Sequence, residues 1–590
     1  MESLLAKIGV DELELARLCG PPGASRDTLK DLYQEAIPRR TRHALGEYYT
    51  PDWLAEHVLD ELGYRDERLL DPSCGSGTFL VAAINRVRKC NEGLPPAELL
   101  HRIQSNVVGF DVNPLAVFTA RANYRLAIRD LLPAAGEVIV PVELRDSILD
   151  PAIEWLGRAD VVAGNPPWIG WDHLPDDYRE CTKPLWREYG LFSLDASAAR
   201  QGGGKKDLSS LMLYAAADRY LRDGGKLGFV ITQTLFQSRG AGDGFRRFRL
   251  GANGPALGVW RVDDMVRLKP FGGASNWTSV VFLEKGRPTS YPVQYVRWGR
   301  PPGLRGTATS RQEAFEARPA DPARPTSPWI VTPRGEQAAA TGPSDYTAHA
   351  GAYSGGANGV YWLRVVGTEG ANLVVENLGH CGKREVEIGR HVIEPDLVYP
   401  LLRWGDVRRF RATPSAHILV AQDPVTRKGL DEVRMRQSFP LTYAYLKQFE
   451  PALRQRRSSS LRSLMNRGPF YSMFAIGTYT LAPVKVVWRR MDRRMNAAVV
   501  EGIRPVVPQE TCVFIEAETS DEAHYLCAVL NGDRVDSLVR SHSIAGGKGF
   551  GTPGMLEFLA IRRYDPEKPE HRALAAQSRE AHLTAAVAVL

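Results

Sequence analysis

The sequence predicts an α/β chain, a doubly wound and mostly parallel sheet covered on both faces by helices, followed by a C-terminal α+β domain. From Arg68 to about residue 286, short apolar runs alternate with longer helical stretches, the signature of βα units. Between 287 and 345 the composition shifts to Pro, Arg, Thr and Gly, as in Arg300-Pro301-Pro302-Gly303 and Arg324-Pro325, which reads as an inter-domain connection. At 590 residues, with 44% hydrophobic and 24% charged residues, the chain is long enough for two or three domains and ordinary for a folded globular protein. The predicted organisation is a helical segment over 1–42, an α/β domain over 43–300, a linker over 301–349 and an α+β domain over 350–590.

Residues 1–42 are polar and helical in pattern, broken by the Gly20-Pro21-Pro22-Gly23 turn, and 52–62 read as an amphipathic helix. The expected strands are the apolar runs at 69–70, 107–110, 142–144, 160–163, 227–231 and 279–283. One helix runs from the glycine-rich stretch after Asp71 to about Arg88, and another opens at Asp207. Residues 171–206, ending in Gln201-Gly202-Gly203-Gly204-Lys205-Lys206, read as a mobile loop. In the C-terminal part the runs 360–366, 418–421, 484–488 and 512–516 are strand-like. Open sheets of this class bind ligands at the carboxyl ends of their strands.

Seven cysteines, at 19, 74, 90, 181, 381, 512 and 527, form no CxxC pair and no zinc-finger spacing with histidine, so reduced thiols and no metal are expected. Met1 to Lys7 lacks the apolar core of a secretory signal, and no stretch offers about 18 uncharged apolar residues, so the expected location is the cytosol, away from membranes. The net charge of +7 is unevenly placed, because residues 401–500 hold 19 Lys+Arg against 6 Asp+Glu. Such a segment suits a phosphate backbone and equally fits a solvated basic face.

Asp71-Pro72-Ser73-Cys74-Gly75-Ser76-Gly77-Thr78-Phe79 follows the first strand and opens a helix. Glycines at 75 and 77 let the backbone pass close beneath a ligand, and the helix start presents free N–H groups. The second strand ends in Phe110-Asp111-Val112, where Asp111 can accept from both hydroxyls of a ribose and an apolar neighbour can pack on adenine. The third ends in Asp146-Ser147, whose carboxylate can accept from the adenine amine or simply cap a helix.

These residues resemble the D-P-x-C-G-x-G-x-F motif of the amino-methylating DNA methyltransferases, which implies a Rossmann-like methyltransferase sheet and S-adenosyl-L-methionine as cofactor. Gly46-Glu47-Tyr48-Tyr49-Thr50-Pro51 resembles that family's extra cofactor motif, closing over the methionine end with Thr50 toward its carboxylate; a plain helix start fits the same residues. Asn165-Pro166-Pro167-Trp168, after the strand at 160–163, is similar to the family's (D/N/S)PP(Y/F/W) motif. An exocyclic amine attacks poorly because its lone pair is delocalised into the purine ring. The Asn165 side-chain oxygen and the Pro166 carbonyl, held by the rigid prolines, can each accept an amine hydrogen and localise that pair. Trp168 offers a π-face to a base flipped out of the duplex. Phe271 resembles the second stacking aromatic, with Trp277 as its rival; either can equally be a core aromatic.

The order of extra motif, cofactor motif, catalytic motif and large C-terminal domain resembles the gamma arrangement of N6-adenine DNA methyltransferases, including those of type IIG restriction-modification and of BREX and DISARM phage defence. It implies a site-specific adenine-N6 enzyme acting on double-stranded DNA, with other subunits of a restriction or phage-defence system as partners. Only about 40 residues precede the first motif, so no fused nuclease is expected. Arg454, Arg456, Arg457, Arg489, Arg490 and Arg493, interleaved with Tyr471, Phe474 and Trp488, are the expected DNA contacts. The alternatives use the same chemistry on RNA guanine N2 or protein glutamine, or keep the fold as a DNA-binding subunit without turnover.

Overall fold

The computed structural model describes residues 26, 27, 29, 49–134, 138–192, 207–237, 241–271, 277–299, 311–335, 341–383, 385–456, 464–466, 468–492, 494–542 and 551–587. The chain divides into two compact units, Met1–Glu336 and Gln337–Leu590.

The first unit is built on one sheet, with ten strands among the described residues: β1 (Leu69–Asp71), β2 (Val107–Asp111), β3 (Val142–Leu144), β4 (Ala159–Gly164), β5 (Leu221–Thr232), β6 (Leu257–Asp264), β7 (Thr278–Lys285), β8 (Val293–Gly299), β9 (Arg311–Pro319) and β10 (Trp329–Pro333). Their order is β3-β2-β1-β4-β5-β7-β6-β8-β9-β10. Strands β1 to β5 are mutually parallel, and β7 runs antiparallel to both β5 and β6.

The apolar runs are continuous because both faces are covered. Leu69, Val107, Val161, Val230 and Val280 pack with the helices α1 (Asp52–Leu62), α2 (Thr78–Cys90), α3 (Pro96–Asn106) and α4 (Pro114–Ala127). The alternate residues Leu70, Val108, Val162, Phe229 and Val281 pack on the other side with Trp186 of α5 (Asp176–Glu188) and with α6 (Leu208–Arg219). This is the doubly wound arrangement, and it places the turns after β1, β2, β3 and β4 along one end of the sheet.

Three stretches differ from their predicted form. Strand β6 escapes an apolar count because Arg261 and Asp263 interrupt it; the fully buried Asp263 accepts from Arg261 Nε at 2.7 Å and pairs with His57 at 2.5 Å, so charges matched to one another stand where apolar residues usually would. The region read as a linker supplies β9 and β10, antiparallel to each other, with the buried Trp329 packed against Phe236 and Phe248. Its Pro and Arg content masked the alternation of side chains. Within the stretch read as a loop, α5 forms despite the interior Pro184, anchored by Trp186, which stacks on Phe192 and meets Trp171 edge to face.

The second unit is α+β. Its larger sheet has the order Arg390–Ile393, Asn372–Asn377, Trp362–Glu369, Ala416–Leu419, Val398–Leu402, Val507–Pro508, and a four-stranded sheet has the order His349–Ala350, Cys512–Glu516, Val484–Arg489, Ala497–Glu501. Among the described residues no helix is long and apolar enough to cross a membrane, and no cluster of His, Cys, Asp or Glu could hold a metal ion.

Candidate active site

The carboxyl ends of β1 to β4 open into one cavity of about 540 Å³. Of the residues predicted to hold a cofactor, Tyr49, Thr50, Asp71, Pro72, Cys74, Gly75, Asp111, Val112, Asp146, Ser147 and Asn165 line it. Tyr48 lies outside the described residues. Gly77 does not line the cavity; it turns the chain at φ +92°, and a Cβ there would stand 3.3 Å from Ala120 of α4. Its role is to let the start of α2 pack on α4. Thr50 precedes α1 but is not its cap, since Pro51 holds that position without any side-chain hydrogen bond.

Hydrogen bonds across the strand ends fix the loop. The Cys74 amide donates to the Phe110 carbonyl at 2.8 Å, and the Gly75 amide donates to Asp111 Oδ2 at 2.9 Å. Asp111 Oδ1 accepts from the Asn113 amide at 2.8 Å, which orients the carboxylate. Asp146 Oδ1 accepts from the amides of Ile148 and Leu149 at 2.8 and 3.0 Å, so it does act as a local cap while its residue faces the cavity. Ser147 Oγ donates to the Pro72 carbonyl at 2.9 Å, tying the third strand end to the first.

Asp71 is the most buried of the three carboxylates. Its Oδ1 accepts from the Ser73 amide at 3.1 Å, while its buried Oδ2 has no hydrogen-bond partner among the described residues. Burial, and then the charge of Asp111, push this carboxyl well above the usual carboxylate range. A cation beside it would reverse that shift. Burial also pushes the Cys74 thiol up, with Asp111 and Asp71 adding to it, so Cys74 packs as a neutral side chain.

The predicted catalytic turn enters the same cavity through Asn165 and Pro167, whereas Pro166, Trp168 and Phe271 are not among its lining residues. Gly164, which sequence reasoning passed over, sets the approach: a Cβ at this strand end would lie 2.5 Å from Asp71 Oδ1. A glycine immediately before the motif was the available signal. Trp168 is buried, its Nε1 donates to the Val230 carbonyl at 3.2 Å, and its ring meets that of Phe271 at 5.2 Å and 82°. The two aromatics therefore adjoin edge to face and are not a pair of parallel walls, and Phe271 rather than Trp277 is the one recorded against Trp168.

Lining residues also come from beyond the strand-end motifs, including the helix that opens at Asp207. Leu174, Tyr178, Leu208 and Met212 close the cavity from α5, α6 and the turn before α5. Burial, and then Asp146 through its charge and a hydrogen bond, raise the Tyr178 phenol well above its ordinary value. The α6 start is joined to the catalytic turn, since the Leu208 amide donates to the Ile169 carbonyl at 2.8 Å. Asp207 caps α6 through the Ser209 amide at 2.9 Å, and burial pushes its carboxyl up to about 6.

In the second unit the predicted arginines separate into different roles. Arg456 is 2% exposed, and its guanidinium donates to the carbonyls of Leu453, Ser354, Ser472 and Phe470, which corrects its reading as a DNA contact. Arg489 donates to the Val407 carbonyl at 2.6 Å, pairs with Asp492 at 3.2 Å and covers the Trp404 ring at 4.2 Å. Arg454 pairs with Glu450 at 2.6 Å while staying well exposed, and Arg490 and Arg494 are exposed. Arg457 and Arg493 lie outside the described residues. Tyr471 and Trp488 are core residues, leaving Phe474 as the exposed aromatic of the predicted three.

Residues 24–296 match the N-6 DNA methylase family. The type II methyltransferase M.VspI of Vibrio sp. (strain 343) is 27% identical to this chain, over 35% of it and 42% of that protein. The adenine-specific methyltransferase PglX of Streptomyces coelicolor is 34% identical, over 25% of this chain and 17% of that protein. The matched stretches thus span less than half of either relative. The type IIL restriction-modification enzyme MmeI, solved in complex with DNA, shares the fold at a TM-score of 0.50 and 13% identity, over 95% of this chain and 78% of that one. The stretch that matches the N-6 DNA methylase family, residues 24–296, contains every strand end of the cavity.

Proposed function

We propose that this chain is a site-specific DNA methyltransferase that carries a methyl group from S-adenosyl-L-methionine to N6 of an adenine flipped out of duplex DNA, in a restriction-modification or phage-defence system with other subunits as partners. The observation that carries this reading is that Asn165 and Pro167 share one cavity with Asp71, Asp111 and Asp146. The donor set fits the cofactor: among the described residues the cavity lining includes these three carboxylates and no Lys, Arg or His, which suits a cationic ligand. The buried Asp71 oxygen without a partner among the described residues suits an ammonium group.

Bound there, S-adenosylmethionine supplies an electrophilic methyl group on its sulfonium. Asp111 accepts from the ribose hydroxyls, Asp146 accepts from the adenine amine, Val112 packs on that ring, and Tyr49 and Thr50 cover the methionine end. The Asn165 side-chain oxygen and the Pro166 carbonyl accept the two N6 hydrogens of the target base, localising its lone pair and stabilising the positive charge that develops on nitrogen. The amine proton becomes acidic only after transfer, so no strong base is needed in the turn. Trp168, held by its bond to the Val230 carbonyl, and Phe271 contact the base.

Transfer of labelled methyl into duplex DNA, with N6-methyladenine as product, tests the reading against tRNA and bulk protein as acceptors; label in either of those alone would overturn it. Asp111→Ala is expected to weaken S-adenosylmethionine binding by about tenfold or more in calorimetric titration while DNA affinity holds, because two charge-assisted hydrogen bonds are lost. In the second unit, Arg490→Ala is expected to lower duplex affinity and to reduce the slope of log affinity against log salt by about 1. An unchanged slope would remove Arg490 from the phosphate contacts.

A further inference from the structure

Asp27 stands outside every motif and is only 3% exposed. Its Oδ2 accepts hydrogen bonds from the Ser76 hydroxyl and, at 2.6 Å, from Thr78 Oγ1; its Oδ1 accepts from Asn123 Nδ2 at 2.6 Å. Asn123, on α4, donates also to the Ser76 carbonyl at 2.9 Å. One carboxylate therefore joins both flanks of Gly77, the first residue of α2 and the side of α4, and both Ser76 and Thr78 line the cavity.

We propose that Asp27 is a positioning residue for the cofactor: it clamps the loop from Gly75 to Thr78 in its receiving shape. The inference rests on the cofactor reading above. Gly75 and Gly77 both sit at positive φ, so an untethered loop has many other conformations to visit, and hydrogen bonds from both flanks of Gly77 and from α4 to one buried carboxyl hold one of them.

The test uses the full chain with S-adenosylmethionine and calorimetric titration. Asp27→Ala is expected to raise the cofactor Kd by about tenfold or more, and Asp27→Asn, which keeps an acceptor oxygen, by about threefold. The KM for cofactor rises in parallel, while kcat at saturating cofactor and duplex affinity stay within about twofold, the split expected of lost ground-state binding. Amides of the loop exchange faster with solvent in both variants. Cofactor affinity in Asp27→Asn equal to that of the native chain, whether Asp27→Ala binds normally or fails to fold, would overturn the clamp. A native chain that binds no S-adenosylmethionine would overturn the cofactor reading itself, a separate result.

Discussion

Asn165→Ala is expected to slow methyl transfer into duplex DNA by about a hundredfold to a thousandfold in single-turnover measurements, the cost of removing one preorganised acceptor at a developing charge. The substitution tests chemistry rather than folding. Asn165 follows β4 directly, and its backbone path is set by Gly164 against Asp71 and by the two prolines that follow, none of which alanine disturbs. Asn165→Asp keeps an acceptor oxygen at the same place, and the (D/N/S)PP(Y/F/W) pattern admits it, so this variant is expected to retain more activity than alanine. Rates for Asn165→Ala within about tenfold of the native chain would move the catalytic acceptor elsewhere.

Arg456→Ala is expected to destabilise the second unit by about 3 kcal/mol, because the buried carbonyls of Ser354, Phe470 and Ser472 would lose the guanidinium they share, while the Leu453 carbonyl keeps the backbone amide of residue 456. The side chain thus joins the turn at Leu453 to two other segments, at Ser354 and at Phe470 to Ser472. Thermal unfolding of the full chain, followed for two transitions because the two units are separate cooperative candidates, reads the effect. The opposite result, an unshifted transition with weakened DNA binding, would return Arg456 to the phosphate contacts.

The contrast between Asn165 and Arg456 shows where sequence reasoning reaches. The turn at Asn165 is legible because its pattern is local: a short apolar run ends, two prolines follow, and an aromatic closes the turn within four residues. The same holds for Asp71, Asp111 and Asp146, each at the end of a run whose apolar character comes from a strand covered on both faces. Arg456 was read from composition, and composition registers a positive charge without registering what surrounds it.

The sequence by itself determined the α/β class, the strand ends that carry the motifs and the residue types facing the cavity, since apolar periodicity and glycine placement are written in consecutive residues. Only the tertiary structure decided that Asp27 reaches the loop from Gly75 to Thr78 from 49 residues upstream of Ser76, that β9 and β10 extend the sheet, and that Trp168 and Phe271 meet edge to face. It alone separated Arg456, enclosed by carbonyls, from the exposed Arg490. The physical reason is common to all of these: a side chain's role depends on which distant groups burial brings to its polar atoms, and a buried donor or acceptor takes whatever partner the fold supplies.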